Sequence, residues 1–284
     1  MKEVGKSIRQ RLLNVAKTKH INYNVLLLRY FHERFLYRLS LSPYRKSFCL
    51  KGGALLYALA AHFPRPTIDI DLLGIRIKNS QENLSNIFTE ICKIEFPEDG
   101  MIFDYRSIKT VEINVNKKYA GIRISFFACL DTIRQPLQID IGFGDKPTMQ
   151  TLLYPNLLDT LPNAEIYAYS TEYVIAEKFH AMIFLSELNS RIKDFYDLYL
   201  IIRQQNFDNE KLSEAVKNTF KIRKTYFEKN HPLFSTSFAN DTKRLFQWNH
   251  FLKKIQVDYI DFEEVVETIT LILQPIYLKI LDNE

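Results

Sequence analysis

The sequence is poor in the features that mark disulfide-rich proteins and zinc proteins. It holds three cysteines among 284 residues, Cys49, Cys92 and Cys129, and none of them forms a C-x-x-C pair. Neither a disulfide framework nor a zinc site is therefore expected. The apolar or mixed sequence around each cysteine favours buried free thiols.

Long apolar runs are also missing. No stretch approaches the roughly 18 consecutive apolar residues that a membrane span needs. The first twenty residues alternate charged and apolar positions and contain no signal-peptide core. We therefore expect a cytoplasmic protein without a membrane partner.

Several catalytic signatures are absent as well. Neither a Ser-His-Asp nor a Cys-His arrangement has a convincing pattern. His62 and His180 have no neighbour at metal-ligand or triad spacing, which favours structural roles for both. We find no internal repeat and no low-complexity tract.

The composition is that of an ordinary globular protein. Hydrophobic residues make up 46% and charged residues 25% of the chain, so its length suits one large domain or two modest ones. The net charge of +5 favours an anionic partner only mildly, because many basic proteins bind no nucleic acid.

The first forty residues predict two helices. Apolar residues recur at helical spacing from Gly5 to about Leu41, with an interruption near His20. Ser42-Pro43 marks the end of this region, because a proline restrains the residue before it and cannot continue a helix.

A glycine turn between a strand and a helix follows. Phe48 to Leu50 reads as a short strand that enters Lys51-Gly52-Gly53, and the run from Ala54 to Ala60 is rich in helix formers. Without side chains at the glycines, backbone N–H groups can approach a phosphate at the helix N-terminus, and Lys51 could add positive charge. Gly-Gly before a helix is also often a plain turn.

The chain then returns as a strand that carries two carboxylates. In Thr67-Ile68-Asp69-Ile70-Asp71 the period of two places Asp69 and Asp71 on the same face. Two carboxylates there could share a divalent metal ion. Asp-x-Asp by itself is also common at strand ends and in turns, so this motif is weak when it stands alone.

The following region is rich in strands and supplies a third carboxylate. In Leu137-Gln138-Ile139-Asp140-Ile141 the apolar residues fall on one face, and Asp140 falls on the other. Asp69, Asp71 and Asp140 would form a metal site for phosphoryl or nucleotidyl transfer if their strands are neighbours. Mg²⁺ is the expected ion because it prefers hard oxygen ligands. We predict the strands of this region at Leu72 to Ile77, Met101 to Ile108, Gly121 to Leu130 and Leu137 to Gly142, with a helix at Ser80 to Ile91.

From Ser170 onward the pattern predicts helices. We place a domain boundary between Leu161 and Ser170, where Pro155 and Pro162 break the regular structure. The resulting domains are residues 1–165, with N-terminal helices and a strand-rich core, and residues 166–284, which are helical. We predict the helices of the second domain from Thr171 to about Glu187 and at Asp194 to Gln204, Ser213 to Phe227, Ala239 to Phe251 and Phe262 to Leu281.

Four ordered motifs together resemble a known family, the nucleotidyltransferase toxins of the AbiEii/AbiGii type, which belong to type IV toxin–antitoxin pairs. These motifs are KGGALLYAL with RPTIDIDLLG, then LQIDIGFGD, YSTEYVIAEKFHAM and NSRIKDFYDLYLI, and they cover roughly Phe48 to Ile202. The family is similar at its core to DNA polymerase beta-like nucleotidyltransferases.

The resemblance implies an α+β, bilobed protein with a mixed-sheet nucleotidyltransferase core, N-terminal helices and a C-terminal helical domain. It implies NTP and Mg²⁺ bound between the lobes and transfer of a nucleoside monophosphate, in some relatives to the tRNA 3′ end. Nucleotide binding, GTP included, and a cognate antitoxin follow by the same analogy, but no motif selects the base.

Carried over by position, the resemblance assigns a role to each candidate site residue. Asp69, Asp71 and Asp140 would hold metal, and Lys178 would contact the triphosphate. Asp194 matches a functional acidic residue of the family, as a base or an acceptor-positioning group. Without the resemblance, Lys178 reads as a solvated ion-pair partner of Glu177, and Asp194 as part of a surface charge network.

One position departs from the family pattern. Ala54 stands where relatives often carry a hydroxyl residue after the glycines, so phosphate binding would depend on backbone N–H groups. This departure leaves open a non-catalytic NTP-binding module. A small-molecule or protein acceptor also stays open.

A basic segment near the C-terminus offers a surface for RNA. Its residues are Lys217, Lys221, Arg223, Lys224 and Lys229, with Tyr226 and Phe227 interleaved. Basic side chains could contact phosphates and aromatic rings could stack on bases. The same spacing also fits the solvated face of a packed helix.

Overall fold

The chain forms two compact units. A computed structural model describes residues 2–59, 65–113, 120–186, 191–204, 206–225 and 228–282. The first unit comprises Met1–Ala58 and Pro66–Tyr169, and the second comprises Leu59–Arg65 and Ser170–Glu284.

The described residues of the first unit form four α-helices. They are α1 (Lys2–Thr18), α2 (Tyr23–Leu41), α3 (Gly52–Leu59) and α4 (Gln81–Cys92). The two predicted N-terminal helices are confirmed, and His20, with a φ of 52°, lies in the break between them. Ser80 caps α4 by accepting a hydrogen bond from the Asn83 N–H, which satisfies a donor that the helix leaves unpaired.

The described residues of the first unit form a sheet of seven strands. They are β1 (Phe48–Lys51), β2 (Asp69–Gly74), β3 (Met101–Ile113), β4 (Gly121–Leu130), β5 (Ile133–Gly142), β6 (Met149–Tyr154) and β7 (Ala164–Tyr169). Their order in the sheet is β3-β4-β5-β2-β1-β7-β6. The pairs β2–β5 and β1–β7 are parallel and the other neighbours are antiparallel. The predicted α+β class with a mixed sheet is confirmed.

The central strands have one buried face and one polar face. Alternate apolar residues such as Ile70, Leu72 and Ile139 are completely buried. The residues between them, among them Asp69 and Asp71, are half-buried. Because neighbouring residues of a strand point to opposite faces, the central strands place their apolar side chains in the core and their polar side chains on the opposite face of the sheet.

A buried ionic cluster joins α2 to the turn before β3. Arg34 and Arg38 both pair with Asp99, and Arg34 Nε lies 2.9 Å from its carboxylate. Glu33 accepts a hydrogen bond of 2.8 Å from the Leu157 N–H. Each of these charged side chains is at most 1% exposed, so their mutual pairing offsets the loss of water.

Burial changes the protonation of Glu33. It raises the pKa of this carboxyl from 4.5 to about 7, although the Leu157 N–H and Arg34 act in the opposite direction. Glu33 is therefore an acid that titrates near neutral pH within the core of the first unit.

The second unit is helical in its described part. Its helices are α5 (Thr171–Leu185), α6 (Ile192–Gln204), α7 (Asn209–Arg223), α8 (Thr236–Ala239), α9 (Thr242–Ile255) and α10 (Phe262–Leu281). The predicted helix at Phe262 to Leu281 has the observed limits. The helix predicted at Ser213 to Phe227 begins earlier, because Asp208 caps it, and it ends where Lys224 adopts a left-handed conformation.

Several predicted elements have other limits. The strand predicted at Leu72 to Ile77 ends at Gly74, and the strand predicted from Leu137 begins at Ile133. The sequence did not indicate β6 and β7, since Pro155 and Pro162 suggested a boundary there. The predictions for Ala60, His62, Glu187, Tyr226 and Phe227 fall outside the described residues.

The cysteines are free thiols. Cys49 and Cys92 are buried, and burial raises the pKa of the Cys49 thiol to about 12, so it stays protonated near neutral pH. None of the helices in the described ranges combines the length and apolar character that a membrane crossing requires.

Candidate functional site

The three predicted carboxylates stand on neighbouring strands. β2 and β5 are parallel neighbours, with Asp71 directly beside Asp140 and Asp69 beside Gln138. Residues paired in this way point to the same face of a sheet, and adjacent strands lie about 4.8 Å apart. The tertiary fold therefore brings Asp69, Asp71 and Asp140 to one polar patch.

Four charged residues form a row across this patch. The register pairs Lys51 of β1 with Asp71 of β2, Asp71 with Asp140 of β5, and Asp140 with Arg123 of β4. We call Lys51, Asp71, Asp140 and Arg123 the charge row. Its order is positive, negative, negative, positive, so each end of the carboxylate pair carries a cation.

The glycine turn lies against Asp71. Gly52 has a φ of +64°, and a Cβ built on it would lie 2.0 Å from the Asp71 Oδ2 atom. The Gly53 N–H donates a backbone hydrogen bond to Asp71. The start of α3 therefore contacts the Asp71 carboxylate of β2 directly. This contact requires both the positive φ and the absence of a side chain at position 52.

The Asp71 carboxylate is held in an unfavourable electrostatic environment. Burial raises its pKa, and the neighbouring carboxylates of Asp140 and Asp69 raise it further, while Lys51 and the Gly53 N–H act in the opposite direction. A carboxylate that is buried beside like charges is stabilised by an added cation. Such perturbed groups cluster at functional sites.

Asp140 and Arg123 form a two-pronged ion pair. Arg123 Nε donates to Asp140 Oδ1 at 2.7 Å and Nη2 donates to Oδ2 at 2.8 Å. This hydrogen bonding to Asp140 raises the pKa of Arg123, and the charges of Asp69 and Asp71 add to the effect. Both oxygens of the third carboxylate are thus engaged by a guanidinium.

The donor set of the patch suits a hard cation, but its side chains do not converge on one point. Asp69 Oδ1 accepts a hydrogen bond from Gln138, and Asp140 faces Arg123. Across the residues that the structure describes, no three His, Cys, Asp or Glu side chains are grouped as metal ligands. The strands supply the oxygens that Mg²⁺ prefers, and side-chain rotation would be needed to bring them together.

Lys51 extends along the patch toward the end of β5. Its Nζ lies 3.7 Å from Asp145 Oδ2 and 5.8 Å from the centre of the Tyr169 ring. A Cβ at Gly142 would approach the Lys51 ammonium to 3.2 Å. Ala54, by contrast, is fully buried, so position 54 packs into the core.

The second unit holds a cluster of charged residues around Lys178. Lys178 Nζ donates to Asp194 Oδ1 and to Asp197 Oδ2, each at 2.7 Å. Arg65 makes two hydrogen bonds of 3.0 Å to Asp197, and Arg191 Nε lies 2.7 Å from Asp194. We call these five residues the lysine cluster. Its two carboxylates are buried, with side-chain exposures of 1% and 3%.

The alternative reading of Lys178 as a solvated partner of Glu177 is wrong, since Glu177 pairs with Arg223. Burial alone would lower the pKa of Lys178, but the carboxylates of Asp197 and Asp194 outweigh it and the pKa is raised. Lys178 is therefore a charged ammonium. Contact of Lys178 with triphosphate and the assigned role of Asp194 stay predictions.

The basic segment forms part of an exposed helix face. Lys217, Lys221, Arg223 and Lys224 are exposed on α7 and its C-cap, while Phe220 is buried with Phe179. Arg223 also pairs with Glu177. The lysines of α7 are thus available to solvent, whereas its apolar residues pack within the second unit.

Sequence reasoning missed three residues of these clusters. Arg123 had no recognisable local motif, because its partner lies on another strand. Arg65 stands in RPTIDIDLLG, where the aspartates carry the predicted chemistry, and its partner Asp197 lies far away in the chain. Asp197 lies in the same motif as Asp194, but its partners Lys178 and Arg65 lie elsewhere in the chain. Two signals could have indicated these residues. Arg65 is a basic residue near a carboxylate motif, and Asp197 is a second acid one helical turn after Asp194.

Comparison with known proteins identifies the family. Residues 34–268 match the family described as "Nucleotidyl transferase AbiEii toxin, Type IV TA system". A search of curated proteins found no significant match.

Solved structures give more distant likenesses. JHP933 of Helicobacter pylori is 17% identical, with a TM-score of 0.48 over 88% of this chain and 90% of that chain. A second Helicobacter pylori protein, provisionally described as a nucleotidyltransferase, is 17% identical, with a TM-score of 0.45 over 88% and 94%. An antigenic nucleotidyltransferase-like protein of Paracoccidioides brasiliensis is 14% identical, with a TM-score of 0.36 over 80% and 88%.

Proposed function

Because the chain belongs to the AbiEii family of type IV toxin–antitoxin nucleotidyltransferases, we propose that it transfers a nucleoside monophosphate from an NTP to the 3′ end of a tRNA, in a reaction that depends on Mg²⁺. The family makes the chain an NTP-dependent nucleotidyltransferase toxin with a cognate antitoxin. The acceptor and the metal are our proposal. The observation that carries it is the adjacency of Asp71 and Asp140, with Asp69 on the same face.

The proposed reaction makes and breaks one bond to phosphorus. The acceptor hydroxyl oxygen attacks the α-phosphorus of the NTP, the bond to the bridging oxygen of the β-phosphate breaks, and pyrophosphate leaves. The hydroxyl proton passes to solvent. Bound Mg²⁺ would supply positive charge that neutralises the phosphate oxygens and aligns the attacking and leaving oxygens.

The residues of the first unit have distinct roles in this proposal. Asp69 and Asp71 would hold Mg²⁺, and Asp140 would complete the ligand set. Lys51 would contribute positive charge toward the phosphates. The Gly52-Gly53 turn keeps α3 close to Asp71, so its backbone N–H groups would lie near a phosphate bound to the same cation.

The exposed lysines of α7 support an RNA acceptor. Lys217, Lys221 and Lys224 are exposed on one helix and its cap, and phosphate contacts by such side chains dominate the affinity for nucleic acid. Glutamine at all three positions should weaken tRNA binding and reduce its salt dependence, by up to about one unit of slope per lost contact. Glutamine at Lys243, Lys253 and Lys254, three exposed lysines of α9, is the matched control, and equal weakening in both variants would argue against a specific surface.

The proposal is tested by incubating the purified protein with each α-labelled NTP, Mg²⁺ and total tRNA. Label should enter the RNA, and Asp69→Asn or EDTA should abolish the transfer. Asp104→Asn is the control, because Asp104 lies on β3 and pairs with Arg134 at 3.7 Å. Label on a protein or a small molecule, and never on RNA, would refute the tRNA acceptor. Full transfer in EDTA would refute the metal.

A further inference from the structure

Arg123 forms an ion pair with the third candidate metal ligand, the Asp140 carboxylate. Its side chain is 39% exposed and that of Asp140 is 18% exposed, so the pair lies at the accessible side of the polar patch. Arg123 engages both Asp140 oxygens. A planar guanidinium matches a carboxylate in this two-pronged way better than an ammonium does.

The pair explains how the patch tolerates adjacent carboxylates. Asp71 and Asp140 are direct neighbours on parallel strands, and like charges at such positions repel. Arg123 supplies one compensating charge beside Asp140. In this arrangement the carboxylates of the described residues are not grouped as metal ligands. The guanidinium and a divalent cation would therefore need the Asp140 carboxylate in different orientations.

We propose that Arg123 is a positioning residue that competes with the divalent cation for Asp140. In the absence of metal it holds the Asp140 carboxylate, and binding of the cation requires Asp140 to leave the guanidinium and turn toward Asp71. The inference rests on the proposed metal site. It adds that the protein carries its own counter-ion, which weakens metal binding and raises the cation concentration at which the site is half occupied.

A merely structural salt bridge predicts a different outcome. A partly exposed cross-strand ion pair contributes little to stability, and its loss should lower the melting temperature slightly without changing the affinity for metal. Competition predicts that metal affinity rises when Arg123 is removed. Metal affinity therefore separates the two explanations, independently of catalytic activity.

The experiment measures Mn²⁺ binding to the full chain by calorimetry and by the electron paramagnetic resonance signal of free Mn²⁺, without nucleotide. Arg123→Gln should bind Mn²⁺ about fivefold more tightly or better, because the cation no longer has to displace the guanidinium that holds both Asp140 oxygens. Arg123→Lys, which lacks the two-pronged geometry, should show a smaller gain. Arg134→Gln is the matched control, since Arg134 forms an exposed ion pair with Asp104, and it should bind like the wild type.

A double-variant cycle connects the gain to Asp140. Asp140→Asn should weaken Mn²⁺ binding, and adding Arg123→Gln to it should restore little, since no carboxylate is left for the guanidinium to hold. Equal gains in both backgrounds would show a general charge effect and overturn the competition.

The remaining outcomes are distinct. Wild-type Mn²⁺ binding that Asp69→Asn abolishes, together with unchanged or weaker binding in Arg123→Gln, would overturn this inference alone. Absence of Asp69-dependent binding in every variant would overturn the proposed metal site as well. If Arg123→Gln does not fold, Arg123→Lys decides the question, and unchanged binding in that variant rejects the competition.

Discussion

Gly52 and Asp71 are in such close contact that a Cβ at Gly52 would lie 2.0 Å from the Asp71 Oδ2 atom. The φ of +64° at Gly52 would strain any other residue. We therefore expect Gly52→Ala to lower the free energy of unfolding by about 1–3 kcal/mol and to reduce nucleotidyl transfer, because Asp71 must move. Denaturant unfolding and the labelled-NTP assay measure the two effects.

The control is Gly144→Ala. Gly144 also has a positive φ, of 94°. This variant therefore measures the stability lost when a residue with a side chain adopts a positive φ in the loop after β5. It should lose stability and keep more transfer activity than Gly52→Ala. Full activity in Gly52→Ala would show that the contact with Asp71 has no functional importance.

Asp71→Asn should separate activity from stability. Burial and the carboxylates of Asp140 and Asp69 raise the pKa of Asp71, so the ionised form is disfavoured in the folded protein. Removing this charge should leave the melting temperature in EDTA unchanged or higher, while nucleotidyl transfer is lost. Calorimetry and the transfer assay test this pair of outcomes, and a large fall in melting temperature would contradict it.

Lys178→Met should strongly destabilise the second unit. The variant leaves Asp194 and Asp197 buried without the ammonium that bridges them, and breaking a buried ion pair from one side costs about 3–5 kcal/mol. Lys193→Met, at an exposed position of α6, should change the free energy of unfolding by less than about 0.5 kcal/mol.

The measurement for this pair is thermal and denaturant unfolding. Lys178→Met with Asp197→Asn should recover part of the loss, because one uncompensated charge is removed. A Lys178→Met protein as stable as the wild type would contradict the structural importance of the lysine cluster. Loss of activity in Lys178→Met should be interpreted only in protein shown to be folded.

Glu33→Gln should change the pH dependence of stability. The pKa of Glu33 is raised from 4.5 to about 7 by burial. Between these values the folded protein holds a proton that the unfolded chain has released. The Glu33 contribution to stability is therefore full below about pH 4.5 and falls as the pH rises to about 7.

Unfolding curves of Glu33→Gln and the wild type, measured across this range, should consequently differ in slope. The variant should lose stability less steeply with rising pH. Glu82→Gln is the control, because Glu82 is exposed on α4, and it should keep the wild-type slope. Identical slopes for Glu33→Gln and the wild type would show that Glu33 keeps an ordinary pKa.

Much of the fold could be predicted from the sequence because its elements have strong local signals. The helices at the N-terminus and at Phe262–Leu281 follow the spacing of apolar residues. α4 and α5 begin at or next to their predicted starts, where Ser80 and Ser170 cap them. β6 and β7 could not be predicted in this way, since neighbouring prolines suggested a boundary and sheet pairing supplied the missing stabilisation.

The sequence by itself determined which residues can do chemistry. The period of two set Asp69 and Asp71 on one face of a strand, the glycine pair allowed a tight approach, and the ordered motifs indicated the family. These properties depend on neighbours within a few positions of the chain. They required no knowledge of which strand lies beside which.

Only the tertiary structure decided which opposite charges lie beside those residues. The pairing of β4, β5, β2 and β1 assembled the charge row, and helix packing buried Lys178 with two carboxylates. Arg123 lies 17 positions from Asp140 in the chain and Arg65 lies 132 positions from Asp197. Electrostatic interactions depend on distance in space and on burial, and neither of these is written in local sequence.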